Sequence, residues 1–435
     1  MTHPDYQKTL DYLYSRLPMY QRDGAPAIKL GLEKTKELCW ALGMPQWKLN
    51  SIHVAGTNGK GSVASMLASI LTQAGYRTGL YTSPHLADFS ERIRIDGQPI
   101  SQQAVVEFMD CYRLAIEKIE PTFFELCVGM AFEFFAEQDT DINVIEVGLG
   151  GRLDSTNVVK PEVSVITNIG YDHMDVLGDT LEQIAGEKAG IIKKYTPAVV
   201  GKRHEATDPV FQRAAFEKEA DLFFAEDRFS VTRTAGADAF QTFKVGKKTY
   251  ETDLQGHYQQ ENLATVLMTV EVLRQDGWEI PEVAVREGLK KVRKNSGLRG
   301  RMERLQSQPT VICDVAHNLD GLTATLPQVQ AMPHRQLHIV WGMVREKDTA
   351  AILNELPTEA SYYYVRPDVP RGLDAQILAS QATHLGLSGQ AYDSVQAGLK
   401  AALAQASPED LIYVGGSTFV VAEVLEKWKA TAPTV

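Results

Sequence analysis

The residue types best suited to chemistry lie at 51–62, where the sequence reads SIHVAGTNGKGS. A β-branched run leads into a glycine-rich turn, and the apolar residues after the turn recur at helical spacing. Glycines let several backbone N–H groups point at one position, a helix N-terminus adds a partial positive charge, and Lys60 adds a full one. The pattern therefore predicts a site for nucleotide phosphates. Its residues are Thr57, Asn58, Gly59, Lys60, Gly61 and Ser62.

This loop departs from the common G-x-x-x-x-G-K-[ST] pattern. Gly56 precedes Gly59 by only three residues, and Gly61 separates Lys60 from Ser62. The alternative is a plain glycine turn between a strand and a helix. Because strand, loop, lysine and helix all occur in the expected order, we favour the phosphate site.

Polar side chains also follow other predicted strands. Glu146 lies in the apolar run NVIEVGLGG, and Ser83 follows the run at 79–81. In α/β proteins ligands bind at the carboxyl ends of strands, and Mg²⁺ prefers oxygen ligands. Both residues are therefore candidate metal ligands. The alternatives are a solvated strand-end glutamate and a turn serine before Pro84.

His173 and Lys188 are less specific as single residues. His173 lies in NIGYDHMDVLG, after a predicted strand. A lone histidine is more often a loop or core residue than a ligand, and a histidine on Mg²⁺ is unusual by ligand softness. Lys188 lies in GEKAGIIKK, on a predicted helix, where a surface lysine is the ordinary outcome.

Two further segments could hold a flat organic ligand. In residues 121–125, PTFFE, an aromatic ring could stack on a heterocycle while a polar group holds its edge. Residues 153–155, LDS, offer a second polar contact. The alternatives are a core aromatic cluster and an ordinary polar turn.

The remaining candidates lie further along the chain. Asn262 begins a predicted helix, where asparagine is usually a cap. Arg301 belongs to a basic run that could be a solvated surface, and Asp314 and His317 follow the strand-like VICDV. Ser417 ends a Gly-Gly-Ser turn that could meet a carboxylate or be a plain turn.

Alternating β-branched runs and helical stretches indicate an α/β scaffold for these residues. A helix is predicted over 62–74, and the alternating residues 221–255 predict a β-meander or hairpins. The predicted strands are 52–55, 77–81, 142–147, 163–167, 198–200, 311–315, 337–341, 362–365 and 411–414. The basic stretch 290–304 contains two glycines and predicts a domain boundary, with domains 1–296 and 297–435.

Composition narrows the class of protein. The chain has 435 residues and a formal charge of −11, which argues against a general binder of nucleic acid or anionic membranes. No apolar run is long enough to span a membrane, and the start of the chain lacks the apolar core of a secretory peptide. Four cysteines without a C-x-x-C pattern indicate reduced thiols. We expect a cytoplasmic monomer.

Several segments together resemble one family. They are GTNGKGS at 56–62, TSPHL at 82–86, ERIR at 91–94, EVGLGGRLDSTN at 146–157, DH at 172–173, LG at 177–178, EKAGII at 187–192 and DVAHN at 314–318. Their order and content are similar to those of folylpolyglutamate synthase/dihydrofolate synthase, a family of the Mur ligase superfamily. Each motif alone is weak, but the ordered set extends over most of the chain.

The resemblance implies a fold and a metal site. The fold is α/β, with a Mur-ligase-like P-loop ATPase domain followed by a smaller Rossmann-like C-terminal domain. The implied ligands of two Mg²⁺ ions are Ser83, Glu146, His173 and Lys188. Lys188 is implied to be carbamylated, which turns a cation into an anionic oxygen ligand. The implied catalytic residues are Lys60, Lys188 and His173.

The resemblance also implies contacts to three substrates. Besides the loop, the ATP contacts are Asn262, Arg301 and Asp314. The pterin or folate contacts are Thr122, Phe123, Phe124, Glu125, Leu153, Asp154 and Ser155. His317 and Ser417 are the candidate glutamate contacts. The polar stretch Met19–Ile28 is expected only to border the pterin pocket.

The implied activity is ATP-dependent ligation of L-glutamate. ATP would phosphorylate the carboxylate of a pterin-bearing acid, and the glutamate amine would displace phosphate. We expect both activities, on dihydropteroate and on the γ-carboxylate of reduced folates. The alternatives are a folylpolyglutamate synthase only, a Mur-type peptide ligase, or a regulatory module that uses ATP as a switch. The Mur-type alternative is disfavoured because the chain opens directly into the phosphate-loop domain.

Overall fold

The computed structural model describes residues 4–24, 31–234, 240–345 and 347–431. The chain forms two compact units, each built from separate segments of sequence. The first unit contains 1–85, 89–253 and 259–298. The second contains 86–88, 254–258 and 299–435. The sequence predicted one boundary between 296 and 297, whereas the chain passes between the units at several points.

The centre of the first unit is an eight-stranded sheet in the order β4-β3-β2-β5-β1-β6-β7-β8. Its strands are β1 Ser51–Ala55, β2 Thr78–Tyr81, β3 Ile93–Ile95, β4 Gln98–Pro99, β5 Ile142–Glu146, β6 Val163–Ile166, β7 Ala198–Val200 and β8 Leu222–Phe224. The strands from β2 to β8 in this order are parallel. Strands buried on both faces read as continuous apolar runs, so the predicted strands of this region are confirmed to within a residue at each end.

Helices cover this sheet. They are α1 Tyr6–Arg16, α2 Tyr20–Asp23, α3 Glu33–Ala41, α4 Lys60–Gln73, α5 Gln102–Ile119, α6 Phe123–Glu137, α7 Met174–Leu177, α8 Leu181–Ala189, α9 Asp208–Glu217, α10 Ala225–Arg228, α11 Gln259–Gln275, α12 Glu282–Lys290 and α13 Val292–Ser296. Helix α4 packs on β1, β2 and β5, as its predicted apolar positions require. One apolar core joins α1, α3, α5 and α6, and a second joins the sheet to α8 and α9.

The stretch 221–255 is only partly the predicted meander. β9 Val231–Thr234, β10 Gln241–Val245 and β11 Lys248–Thr252 form a separate antiparallel sheet. Residues 222–224 instead form β8, which pairs in parallel with β7 of the large sheet. The meander prediction is therefore wrong for β8, because a three-residue strand has too little periodicity to show which sheet it joins.

The second unit has a six-stranded sheet in the order β12-β13-β17-β14-β15-β16. Its strands are β12 Glu303–Ser307, β13 Thr310–Cys313, β14 Leu337–Trp341, β15 Ser361–Val365, β16 Gly389–Tyr392 and β17 Leu411–Gly415. Its helices are α14 Leu319–Ala331, α15 Thr349–Asn354, α16 Ala375–His384, α17 Val395–Gln405 and α18 Thr418–Thr431. All pairs are parallel except the β12–β13 hairpin, and the α/β fold class is confirmed.

The cysteines are free thiols, three of them buried. Across the described residues, none of the helices combines the length and the apolar character that crossing a membrane requires.

Candidate active site

The phosphate loop, residues 56–62, runs from the end of β1 into the first turn of α4. Gly59 has a φ of +84°, a left-handed conformation that favours glycine, and α4 begins at Lys60. The Lys60 ammonium donates to the carbonyls of Gly56 at 2.9 Å and Thr57 at 3.1 Å. The predicted strand, loop and helix are therefore present, and the lysine side chain folds over its own loop.

A second segment, residues 167–170 after β6, holds this loop in shape. The Thr57 N–H donates to the carbonyl of Asn168 at 2.9 Å, and the Asn58 N–H donates to the Asn168 side chain at 2.9 Å. The Thr167 hydroxyl donates to the Asn58 carbonyl at 2.5 Å, and the Gly170 N–H donates to the Thr57 hydroxyl at 3.0 Å. Sequence reasoning missed these residues. Their position at the end of a strand, as for Glu146, could have indicated them.

Close packing explains Gly56. A Cβ at Gly56 would lie 1.8 Å from the Thr167 hydroxyl oxygen, and φ at Gly56 is +148°. Only glycine lets the loop approach residues 167–170 this closely. The glycine spacing that departs from the common pattern thus has a structural cause in this chain.

Asn262 lies beside the loop but does not start its helix. Helix α11 begins at Gln259, and the Asn262 side chain donates to the Gln259 side-chain oxygen at 2.8 Å. A Cβ at Gly59 would lie 2.3 Å from the Asn262 oxygen. The expected helix start at Asn262 is wrong by three residues, and its amide faces the phosphate loop instead of capping α11. Ser62 is buried in the first turn of α4.

Ser83 and Glu146 lie together at the carboxyl ends of the neighbouring strands β2 and β5. The Ser83 N–H donates to the Glu146 carboxylate at 3.0 Å, and Glu146 is buried. A carboxylate and a hydroxyl-bearing residue are thereby adjacent, one strand away from the phosphate loop. These are oxygen donors of the kind that Mg²⁺ prefers.

His173 follows β6 and precedes the short helix α7. Its φ is +51°, a left-handed conformation that is uncommon for a residue with a side chain. The His173 N–H donates to the Asp172 carboxylate at 3.0 Å, and the ring Nε2 lies 3.8 Å from the same carboxyl group. An uncommon backbone conformation held by a neighbouring carboxylate is typical of functional loops.

Lys188 is not the surface lysine that its sequence context suggests. It is 3% exposed, near the end of α8. Burial, together with the positive charge of Lys60, lowers the pKa of Lys188 to about 7, although Asp172 and Asp154 oppose the shift. Lys188 therefore lies within electrostatic range of the phosphate loop. The lowered pKa favours the uncharged, nucleophilic form of this amine more than in an exposed lysine.

The donor set fits a hard divalent cation. Within the described residues there is no cluster of three or more His, Cys, Asp or Glu side chains able to hold a metal ion. Glu146 and Ser83 are paired, however, and Mg²⁺ usually keeps several waters and needs only one or two carboxylates beside substrate phosphates.

Residues 122–125 include three buried side chains, which support the structure, and one more accessible side chain, that of Phe124. Thr122 and Glu125 form a capping box: the Glu125 carboxylate accepts from the Thr122 N–H at 2.6 Å, and the Thr122 hydroxyl accepts from the Glu125 N–H at 3.2 Å. Phe123 is buried against Tyr14 and Phe89. Phe124 is half-buried against Gly148, where a Cβ would lie 2.4 Å from its ring.

The loop after Glu146 is organised by Asp154. Its carboxylate accepts from the Leu149 N–H and the Thr156 N–H, both at 2.9 Å, and from the Thr156 hydroxyl. Burial raises the pKa of Asp154, although these hydrogen bonds favour the charged form. Leu153 is half-buried and Ser155 is buried. The expected border of the pterin pocket, Met19–Ile28, lies partly outside the described residues, from 25 to 28.

Two candidates of the second unit, Arg301 and Asp314, lie just before and just after the β12–β13 hairpin. The Asp314 carboxylate is buried and accepts from the Met302 N–H at 2.7 Å, the Tyr258 hydroxyl at 2.8 Å and the Ala316 N–H at 2.8 Å. Arg301 is half-buried. The charge of Arg301 favours the ionised form of Asp314, but burial is the larger effect and raises the pKa of that carboxyl.

His317 and Ser417 occupy the ends of two neighbouring parallel strands of this unit. His317 follows β13 and is half-buried, with its Nδ1 at 2.9 Å from the Val315 carbonyl. Ser417 follows β17 and accepts from the Phe419 N–H at 3.2 Å at the start of α18. The predicted strand-to-helix turn at 415–417 is confirmed.

Comparison with known proteins matches both parts of the chain. Residues 54–270 match the Mur ligase middle domain, and residues 300–418 match the glutamate ligase domain of Mur ligases. The dihydrofolate synthase/folylpolyglutamate synthase of Bacillus subtilis is 33% identical over 98% of this chain and 99% of its own length.

Solved structures agree with this match. Escherichia coli FolC, in complex with DHPP and ADP, superposes with a TM-score of 0.83 at 34% identity over 98% of each chain. A bifunctional folylpolyglutamate synthase/dihydrofolate synthase with Mn, AMPPNP and L-glutamate bound gives a TM-score of 0.81 at 29% identity, again over 98% of each chain. With its motifs, its two units and its full-length relatives in agreement, the chain belongs to the folylpolyglutamate synthase/dihydrofolate synthase family of the Mur ligases.

Proposed function

We propose that this protein is an ATP-dependent ligase that joins L-glutamate to a pterin-bearing carboxylic acid. One observation carries the proposal. The adjacent parallel strands β2, β5, β1 and β6 end at one edge of the sheet, and each has a candidate group there, either at its last residue or just after it. These groups are Ser83, Glu146, the phosphate loop and residues 167–173. This edge is where α/β proteins bind nucleotides and metals.

The acceptor carboxylate must be activated before an amine can attack it, because its oxygens are poor leaving groups. The terminal phosphoryl group of ATP moves to the acceptor carboxylate, which gives an acyl phosphate and ADP. The amine of glutamate then attacks the carbonyl carbon, an amide bond forms, and phosphate leaves with the electron pair of the broken C–O bond.

The protein's contribution is positioning and charge. Phosphoryl transfer requires alignment and neutralisation more than covalent help. Lys60 and the loop N–H groups would bind the phosphates, with Asn262 beside them. Arg301 and Asp314 stay candidate ATP contacts. Ser83, Glu146 and His173 would hold Mg²⁺, which neutralises charge on the phosphates when it is bound.

We further propose that Lys188 is carbamylated. Its neutral amine would attack carbon dioxide, form an N–C bond and lose one proton, which leaves an anionic carbamate able to bind a second Mg²⁺ ion. The support is burial of the amine together with its lowered pKa. Lys188→Ala should cost most of the activity. Lys188→Arg should not restore it, because arginine keeps the charge and cannot form this carbamate. An active Lys188→Arg enzyme would contradict the proposal.

The acceptor side is the region of Phe124 and Asp154. Phe124 would stack on the pterin, and the Thr122 hydroxyl, Leu153 and Ser155 would contact its edge. Glu125 and Phe123 would support the pterin pocket indirectly. Glu125 would do so through the capping box at the start of α6, and Phe123 through its packing in the apolar core. His317 and Ser417 would meet glutamate. The relatives' names support both activities, on dihydropteroate and on reduced folates.

The test is ADP release measured with the two acceptors side by side. We expect release that requires both glutamate and an acceptor, with turnover on dihydropteroate and on a reduced folate. Turnover on the reduced folate but not on dihydropteroate would indicate a folylpolyglutamate synthase without dihydrofolate synthase activity. ADP release that needs neither glutamate nor an acceptor would contradict the ligase proposal.

A further inference from the structure

His53 is a polar ring in the middle of the central strand β1. It is fully buried, beside Ile145 of β5 and Ser164 of β6. Burying an imidazole in a parallel sheet costs free energy unless its nitrogens are hydrogen-bonded. Its strand leads directly into the phosphate loop, yet His53 has no role in the proposed binding of ATP or metal.

The ring has one hydrogen-bond partner among the described residues. Nε2 lies 2.8 Å from the Thr156 hydroxyl oxygen, whereas Nδ1 is buried without a partner. The same hydroxyl makes a short contact with the Asp154 carboxylate. The three side chains therefore form a chain from β1 to the loop that follows β5.

The direction of these hydrogen bonds can be inferred. Asp154 also accepts from the Leu149 and Thr156 N–H groups, as a carboxylate does, so the Thr156 hydroxyl donates to it. The hydroxyl oxygen then accepts from the ring, which places the proton on Nε2. The reverse arrangement would leave a buried Nδ1–H unsatisfied, which is the rarer defect. Burial lowers the pKa of His53 to about 3, so the ring is neutral and has only this one N–H.

We propose that His53 is a positioning residue for the pterin-bearing substrate. Its Nε2–H holds the Thr156 hydroxyl toward Asp154, and the carboxylate so held keeps residues 148–155 in the shape that receives the pterin. Because it concerns the acceptor side of the site, the inference rests on the proposed function.

Matched variants separate this role from general packing. His53→Gln can present an N–H where Nε2 lies, whereas the shorter His53→Asn places its amide near Nδ1. Thr156→Ser keeps the hydroxyl, and Thr156→Val removes it at nearly the same size. His338→Asn is the control, because His338 is a buried histidine of the second unit whose Nδ1 lies 3.0 Å from the Tyr363 hydroxyl.

The measurements are KM for dihydropteroate, KM for ATP, kcat and the thermal midpoint. We expect Thr156→Val, which loses a hydrogen bond to the Asp154 carboxylate, and His53→Asn, which releases the hydroxyl that makes this bond, to raise KM for dihydropteroate roughly tenfold, with KM for ATP unchanged. His53→Gln and Thr156→Ser should stay near the wild-type values. His338→Asn should change the thermal midpoint only.

Two kinetic results would overturn the inference while leaving the proposed function intact. One is an unchanged KM for dihydropteroate in folded His53→Asn and Thr156→Val enzymes. The other is equal rises in KM for ATP and for dihydropteroate. A ¹⁵N spectrum of histidine-labelled protein, assigned with His53→Gln, should show the proton on Nε2, and a proton on Nδ1 would also overturn the inference. If the wild-type enzyme fails to use dihydropteroate, the acceptor proposal falls, and this inference with it.

Discussion

Lys60 and Lys188 carry the same functional group in different surroundings. Lys60 is half-buried and donates to two carbonyls of its own loop, so its charge is available for phosphates. Lys188 is 3% exposed, and its surroundings favour the neutral amine. Lys60 is therefore suited to binding anionic phosphates, and Lys188 is suited to the proposed conversion to an anionic carbamate.

Lys60→Ala should reduce glutamate-dependent ADP release by roughly 10²- to 10³-fold, which is the usual cost of removing one preorganised charge from a transition state. The thermal midpoint should change little, because the side chain is only half-buried. Lys194→Ala is the control, since Lys194 is exposed, pairs with Glu219 and lies over the Tyr195 ring. Near-wild-type turnover in Lys60→Ala would show that the loop does not bind phosphates.

Glu146→Gln keeps the shape of the side chain and removes its charge. We expect a large fall in turnover that added Mg²⁺ partly restores, because the metal site would have lost affinity. The measurement is the Mg²⁺ dependence of the rate, with Glu271→Gln as a control for an exposed ion pair with Arg228. An unchanged Mg²⁺ dependence would mean that Glu146 is not a ligand.

Lys188 should also make stability depend on pH. In carbon-dioxide-free buffer its pKa is about 7 in the folded state, against an ordinary value of 10.5 in the unfolded chain. Between these values unfolding takes up a proton, so the folded state gains stability as pH rises, by at most about 1.4 kcal/mol per pH unit. Urea unfolding between pH 7 and 9 should show this gain relative to Lys188→Met, and parallel pH profiles would contradict it.

At the scale of elements, helix α4 has a left-handed glycine beside each end. Gly59 at its start has a φ of +84°, and a Cβ there would meet Asn262 at 2.3 Å. Gly75, just after its end, has a φ of +95° with open space around it. The two positions therefore differ in their surroundings but not in their backbone conformation.

Alanine at these two glycines should separate backbone strain from function. Each substitution should cost about 1 kcal/mol of stability, because a side chain is disfavoured in the left-handed region. Only Gly59→Ala should also weaken ATP binding, measured by calorimetry, since it displaces Asn262 beside the phosphate loop. Equal ATP affinities in the two variants would count against Asn262 as part of the nucleotide site.

At the scale of the whole molecule, each unit is made from separate stretches of chain. Residues 254–258 belong to the second unit although they precede the main part of it by some forty residues. Tyr258 packs on the apolar core of that unit and donates to the buried Asp314 carboxylate at 2.8 Å. The second unit is thus incomplete as a continuous C-terminal fragment.

Tyr258→Phe should lower the free energy of unfolding by about 1–3 kcal/mol, because Asp314 loses one of its donors while staying buried. Hydrogen exchange should quicken in peptides covering 299–316, where the Met302 N–H shares the same carboxylate. Tyr250→Phe is the control, since its hydroxyl also donates to a carboxylate, that of Glu282, but in the first unit. Faster exchange confined to residues 240–275 in Tyr258→Phe would contradict the assignment of Tyr258 to the second unit.

Local periodicity was enough to predict many strands of the two larger sheets, helix α4 and the type of fold. The strands around Val54 and Val144 are continuous apolar runs, and the apolar face of α4 repeats at helical spacing, so each signal lies within a few neighbouring residues. The phosphate loop and Glu146 at a strand end could be predicted for the same reason. The family could be inferred because its motifs occur in order along the chain.

Tertiary structure decided what depends on residues far apart in sequence. Pairing of β1 with both β5 and β6 brings residues 167–170 to the phosphate loop, and no local pattern encodes that pairing. Burial lowered the pKa of Lys188, which is not the surface cation that its sequence context suggests, and packing separated Phe123 in the core from the more accessible Phe124. Hydrogen bonds and the pKa of a buried group depend on the atoms that surround it, and folding brings those atoms from every part of the chain.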